Sequence, residues 1–295
     1  MHLRLTNIRG RVIGVLAAVA VTILGGTAGA QPSAPYVEAV EKGSINWASG
    51  AVVTVGRAAA DAHADDTAGL EPNPLQSVAV FDARQRLFAL LSDVRVNAEE
   101  RVADMAAVTP LMATKLKEMA ARPVPIPIPV EGAGTVEVRL EFNLYGGFSQ
   151  LVLPRDIKQI DSVRQVPPAP SNSPPAGGRD AYTGLVLDAR TIAALPALAP
   201  RILDENRKVV YGAAFVSREY AVQRGISGYM TEMPTALKDA RVGSNPLVVK
   251  GLAAEGTGRC DIIISNADAD RLRKSWTHLT FLKECRVVIV LSPPK

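Results

Sequence analysis

The chain has 295 residues, 47% of them hydrophobic, and its 33 Lys and Arg against 29 Asp and Glu give a formal charge of +4. That apolar content is ample for folded cores, while aromatic residues at 5% argue against a stacking platform for sugars or bases. Three Arg in the first 30 residues carry most of the charge excess; without them 30 basic side chains face 29 acidic ones, which points to neither nucleic acid nor an anionic membrane as partner.

Residues 1–30 read as a secretion signal. Arg4, Arg9 and Arg11 precede an apolar run from Val12 to Leu24, and Thr27-Ala28-Gly29-Ala30 supplies the small residues a signal peptidase needs. The cut is expected between Ala30 and Gln31. The apolar run is about 13 residues, short of the roughly 20 of a spanning helix. A Sec-type signal directs the mature chain to the periplasm or the medium. Both cysteines lie far from the cut, so no lipid acceptor follows it, and no later segment is apolar enough to span a bilayer.

Residues 31–43 are polar without a clear period and read as a tether. A first module is expected over 44–155. Ser44–Arg57 is Val-rich and reads as strand with a bend at Gly50. Leu75–Val94 repeats apolar residues at three- and four-residue steps (Val80, Ala83, Leu87, Leu90, Leu91, Val94), opened by Asn73-Pro74, a cap and a first-turn residue. Thr109-Pro110 opens a second helix to Ala121. Pro123, Pro125, Pro127 and Pro129 force an extended stretch. Val136, Val138, Leu140, Phe142 and Leu144 then alternate with Glu137, Arg139, Glu141 and Asn143, a strand with one wet face. Tyr145-Gly146-Gly147-Phe148 turns the chain.

Residues 156–180 form a linker, since Val166–Arg179 holds five prolines, two serines and two glycines. The second module, 181–295, opens with strand Tyr182–Leu187. A hairpin follows, Ala197–Leu203 and Lys208–Tyr211, turning at Asp204–Arg207. Ser217 caps a helix ending at Gly225, and Thr231–Ala240 reads as another. Leu247–Lys250 and Asp261–Ser265 read as strands flanking a Gly-rich turn. A helix over Ala267–Leu282, capped by Asn266, leads to a last strand, Arg286–Leu291. The fold class is thus α/β (α+β): two small mixed-sheet modules joined by a Pro-rich linker.

Cys260 and Cys285 are the two cysteines, each placed just before a β-rich run with a helical stretch between. A strand–helix–strand crossover makes such strands parallel. Both thiols then sit at strand starts, and if the strands are neighbours a Cys260–Cys285 disulfide is geometrically possible. The other reading is two small buried residues.

In the first module, Ala51-Val-Val-Thr-Val-Gly56, Ala79-Val-Phe-Asp-Ala-Arg84-Gln-Arg-Leu87 and Val136–Pro154 resemble the small outer-membrane-associated lipoproteins whose fold is shared with the amino-terminal domain of flagellar assembly protein T. In the second, Tyr182–Arg190 and Pro200–Glu205 are similar to the part that follows that domain in some exported proteins. The resemblance implies a non-enzymatic envelope protein of α/β architecture and brings no catalytic residues with it. The chain departs from the lipoprotein pattern in lacking an acceptor cysteine.

Catalytic equipment is sparse. Asp61, His63, Asp65 and Asp66 are the best candidate metal cluster, though a solvated loop explains them more simply. His63 and His278 are the only histidines after the signal, which excludes a three-histidine zinc site within one chain. Ser227, in Gly225-Ile-Ser-Gly228, is better explained by a turn than by a nucleophile elbow. Asp188, Asp204 and Glu205 stand at strand ends, as turn residues or as a carboxylate pair. No phosphate loop is present. The leading expectation is a non-enzymatic envelope adaptor that binds other envelope proteins, without cofactor, metal or nucleic acid. The alternatives are a periplasmic hydrolase or metal-dependent enzyme, and a small-ligand binder with its site between the modules.

Overall fold

The structure is a computed structural model that describes residues 34–59, 73–130, 134–154, 157, 182–274 and 276–294. The signal and its cut at Ala30–Gln31, the cluster Asp61, His63, Asp65 and Asp66, and the Pro-rich stretch 166–179 lie outside these residues.

The first module runs β1 (Val37–Val40), β2 (Gly43–Asn46), β3 (Ala51–Ala59), α1 (Pro74–Asp93), α2 (Val102–Val108), α3 (Pro110–Ala121), β4 (Ile126–Ile128), β5 (Thr135–Asn143) and α4 (Gly147–Val152). Its five strands form one sheet in the order β1-β2-β3-β5-β4, antiparallel at every pairing. Helix α1 starts as the sequence predicts: the Asn73 side chain accepts from the Leu75 N–H, and Pro74 follows. Its buried stripe is Ala79, Ala83, Leu87, Leu90 and Leu91. Gly56 lets the helix lie directly on β3. A Cβ there would sit 2.1 Å from the Ala79 carbonyl oxygen and 2.3 Å from the Ala83 nitrogen. On β5, Val138 and Leu140 are buried while Arg139 and Glu141 are exposed, the alternation the sequence shows.

The second module runs β6 (Gly184–Asp188), β7 (Ile202–Leu203), β8 (Val209–Tyr211), α5 (Arg218–Arg224), β9 (Gly228–Met230), α6 (Met233–Ala236), β10 (Pro246–Glu255), β11 (Asp261–Ile264), α7 (Asn266–Arg273), α8 (Trp276–Lys283) and β12 (Val287–Val290). Its seven strands form a mixed sheet in the order β8-β7-β11-β10-β6-β12-β9. Strands β10, β6, β12 and β9 are parallel to one another. β11 runs against β10, and β7 runs with β11. Leu185, Leu187, Val287 and Ile289 face a core that also contains Trp47, Leu87 and Leu140 of the first module. Val186, Val288 and Val290 face a smaller cluster with Met230, Ala236 and Val242. One hydrophobic core therefore runs through both sheets.

Several expectations need correction. The stretch read as a tether is structured from Ala34 onward. Pro35 bridges Met230 at the edge of the second sheet, the Tyr36 N–H donates to the Tyr229 carbonyl, and β1 follows at once. The single helix expected between the cysteines is two, α7 and α8, and Ser265 rather than Asn266 caps the first. Helix α2, helix α4 and strand β9 carry no clear sequence period.

The largest correction concerns the cysteines. β11 and β12 are neither neighbours nor parallel. β10 and β6 lie between them, a separation of about 14 Å at the usual spacing of strands. Because β11 enters the sheet as the hairpin partner of β10, its direction is set by that turn and not by a crossover. Cys260 and Cys285 thus stand at opposite ends of the sheet, far beyond disulfide reach, and both are free and buried.

Candidate functional site

In open α/β sheets ligands bind at the carboxyl ends of the parallel strands. Here the β10–β11 hairpin projects beyond that end. The loop between α1 and α2 folds over the hairpin turn, tightened by Asn97, whose Oδ1 accepts from the N–H of Glu99 and Glu100. The Arg95 and Val96 carbonyls accept from the N–H groups of Leu198 and Ala199, and the Ala98 carbonyl accepts from Gly258 N and Thr257 Oγ1. Ala98 is fully buried against Ala197 and Cys260. Gly256, at φ +79°, turns the β10–β11 hairpin just under it, where a Cβ would meet the Ala98 Cβ at 2.4 Å. Beside this loop Trp47 meets the Tyr229 ring edge-on at 5.9 Å, and the Arg95 guanidinium lies 5.8 Å from the Trp47 ring centre. Glu38 ties the group together, accepting from Trp47 Nε1 at 2.8 Å and from Arg95 Nη2 at 2.6 Å.

The candidate carboxylates do not meet. Asp188, at the carboxyl end of β6, forms a two-pronged pair with Arg190 at 2.9 and 2.8 Å, and that guanidinium lowers its pKa. Asp204 follows β7, which runs the opposite way, so it lies at the other end of the sheet. There it accepts from the N–H of Asn206 and Lys208 and from Arg273 Nη2 at 2.9 Å. Glu205 accepts from the Asn266 N–H at the start of α7. These are turn and cap contacts. Asp261 is buried in a pair with Arg201, whose Nε lies 3.0 and 3.1 Å from its two oxygens. Ser227 is buried at the entrance to β9. Burial pushes the Cys260 thiol up to about 12, with Asp261 adding to the shift, and the Cys285 thiol up to about 11. Thiols held protonated at neutral pH are poor nucleophiles. His278 lies in α8, outside the described side chains. Among the described residues no three His, Cys, Asp or Glu are grouped to hold a metal ion.

What remains open is edges and grooves. β4 is blunted. Successive N–H groups alternate in direction, so Ile126 and Ile128 donate to β5 and the outward positions belong to Pro125, Pro127 and Pro129, which have no N–H. β9 is covered by Ala34–Tyr36, with the Thr231 N–H donating to the Ala34 carbonyl. β8 has three residues. β1 is different. Trp47 N donates to the Tyr36 carbonyl, so Tyr36, Glu38 and Val40 hydrogen-bond β2, while Val37 and Ala39 turn their N–H and C=O outward. Beside β1, on the helix side, lies a pocket of about 200 Å³ with Ile45, Trp47, Leu90 and Val94 as its apolar lining. Its rim is charged: Lys42 pairs with Asp93 at 2.6 Å and Arg95 with Glu38, and Glu41 and Arg101 line it as well.

A family model described as the second domain of Treponema pallidum Tp0624 matches residues 184–293. The second module is therefore similar to that domain, from β6 through β12. The match covers less than half of the chain and none of the first module. No curated protein matches. No helix among the described residues is long and apolar enough to cross a membrane.

The sequence reading missed both the β1 edge and the loop over the hairpin turn. β1 is a four-residue strand inside a polar stretch, too short for a period of two to show. The loop's burial depends on the β10–β11 turn, about 160 residues away in the chain.

Proposed function

We propose that the protein is an exported, non-enzymatic adaptor of the cell envelope, and that it takes an extended segment of a partner protein along β1. The observation that carries this reading is an unblunted edge strand bordered by an apolar pocket. Main-chain groups of Val37 and Ala39 would pair with the incoming strand, and an apolar side chain would enter between Trp47 and Leu90, the arrangement of strand-addition complexes. The separated carboxylates support binding over catalysis. The resemblance of the first module to outer-membrane-associated lipoproteins, and through their fold to flagellar assembly protein T, points the same way.

The test is a photo-crosslinking residue at Val37 in cells that make the protein, with and without Ala39→Pro. That substitution removes an outward N–H and leaves the β1–β2 hydrogen bonds intact. The expected result is an adduct with an envelope protein that Ala39→Pro reduces at least tenfold while the thermal midpoint holds. An adduct indifferent to Ala39→Pro would refute the strand-addition mode, and turnover of a substrate by the purified protein would refute the adaptor reading.

A cleft of about 410 Å³ between the modules, lined by Glu99, Glu100 and Pro154 on one side and Arg201 and Phe215 on the other, favours a second reading as a small-ligand binder. Arg201 is already engaged by Asp261, which leaves few free polar groups to orient a ligand. A ligand library that raises the thermal midpoint of the wild type, but not of a Phe215→Asp variant, would support this reading over strand addition.

A further inference from the structure

The motif Asp82-Ala83-Arg84 has one member the fold does not use. Asp82 accepts from the Arg57 N–H and from Arg86, and Ala83 lies under Gly56. Arg84 instead faces a groove of about 530 Å³ between α1 and α3. Phe81 and Phe88 stand one turn either side of it on α1, and Lys117, Ala120 and Ala121 of α3 form the other wall. Phe81 is 63% exposed and Val78, one turn before it, 54%. Val78, Phe81 and Phe88 span about 15 Å along the outer face of α1. The core stripe of α1 is on its other side; Val78 and Phe81 are exposed, while Phe88 is half-buried against the core and forms the floor of the row at that end.

The charges in the groove are unbalanced. Among the described residues no carboxylate lines it, and neither Arg84 nor Lys117 has an ion pair. Arg84 Nε is buried without an acceptor. Nearby Arg57 and Arg86 are paired with Glu137 and Asp82. A buried donor left unmet is uncommon enough to ask what meets it.

We propose that this groove docks an amphipathic helix of a partner protein whose apolar stripe carries a glutamate or aspartate. The apolar stripe would cover Phe81 and Phe88, and the carboxylate would reach in to Arg84, with Lys117 beside it. The groove is too open to bury most of a small ligand. A flat bilayer surface does not follow a groove walled by two helices. The inference deepens the adaptor reading and rests on it, adding a second contact surface of different chemistry from β1.

The test uses the full mature chain and three synthetic 15-residue stapled helices of Ala and Leu on one apolar stripe, with Glu, Gln or Lys at one position within it. Binding is read by fluorescence anisotropy. The Glu helix is expected to bind at least tenfold more tightly than the Gln and Lys helices. Arg84→Gln is expected to abolish that preference, Phe81→Ala to weaken the Glu helix about tenfold, and Ala39→Pro to leave its binding unchanged. Circular dichroism confirms that each variant is folded. Equal binding of the three helices, no binding of any, or a preference that survives Arg84→Gln overturns the proposal. So does Arg84-dependent binding to phosphatidylglycerol vesicles with none to the helices. If the helices fail while the Val37 adduct persists, only this second surface falls; if the adduct fails too, the adaptor reading falls with it.

Discussion

The two sheets solve the same problem in opposite ways. The first is antiparallel and covered on one face by α1, and its other face is wet. Its exposed features are a bare edge at β1 and an aromatic groove on α1. In the second, strands β6, β9, β11 and β12 are almost wholly buried. Its outer strand β9 is covered by Ala34–Tyr36, and its β10–β11 turn is covered by the loop around Ala98. A sheet buried on both faces contributes stability and little surface, whereas a one-sided sheet keeps groups available for partners. Under the proposed adaptor reading, recognition belongs to the first module and support to the second, although a single core joins them.

The junction at Trp47 tests that last point most severely. Trp47 is 3% exposed and touches both modules. Trp47→Ala is expected to cost about 3–5 kcal/mol, as deletion of a large buried aromatic does. Urea unfolding followed by circular dichroism should show one transition that shifts as a whole. Two transitions, only one of which moves, would separate the modules energetically and break the comparison at its base.

A substitution confined to the first sheet should be somewhat milder. Gly56→Ala places a methyl against the α1 backbone, and the strand or helix must shift to admit it, at about 1–3 kcal/mol. If the core is shared, this loss also appears in the single unfolding transition. Hydrogen exchange should show the amides of β3 and α1 loosening before those of β6 and β12.

The smallest effect belongs to the second sheet and depends on pH. Burial alone would raise the Asp204 pKa, but Arg273 and the N–H groups of Lys208 and Asn206 outweigh it and hold the carboxyl below its ordinary range. A carboxyl that titrates lower when folded contributes its full stability above the unfolded value, near 4, and loses it as pH falls through the folded value. Stability should therefore be flat in this respect from neutrality down to about pH 4 and then decline. Asp204→Asn should be less stable than wild type at pH 7 and should shrink the acid-dependent part. An unchanged acid profile in the variant would show that the β7–β8 turn does not depend on this carboxylate.

Local patterns were the legible part. Asn73-Pro74 marked the start of α1, and the period along α1 predicted its core stripe except that it passed over buried Ala79 for half-buried Val80. The alternation along β5 predicted its wet face, and the turn residues at Asp204–Arg207 predicted the β7–β8 hairpin. No local pattern marks Phe81 and Phe88, because they line a groove only when α3 stands beside them. The crossover between the cysteines failed for a related reason. A strand–helix–strand pattern implies parallel neighbours only if the first strand has no stronger partner nearby, and β11 has one in β10.

By itself the sequence determined where α1 begins, which faces of α1 and β5 are apolar, and where the β7–β8 hairpin turns, since these depend on residues a few positions apart. The tertiary structure decided what those regions present to other molecules. It set strand order, and so kept Cys260 and Cys285 at opposite ends of a sheet. It brought Ala98 onto the β10–β11 turn. Among the described residues it left β1 without an outer neighbour while prolines blunted β4, and it left Arg84 without a carboxylate. Each of these outcomes depends on contacts between segments far apart in the chain, where packing and hydrogen-bond satisfaction choose among arrangements that local preference leaves equal.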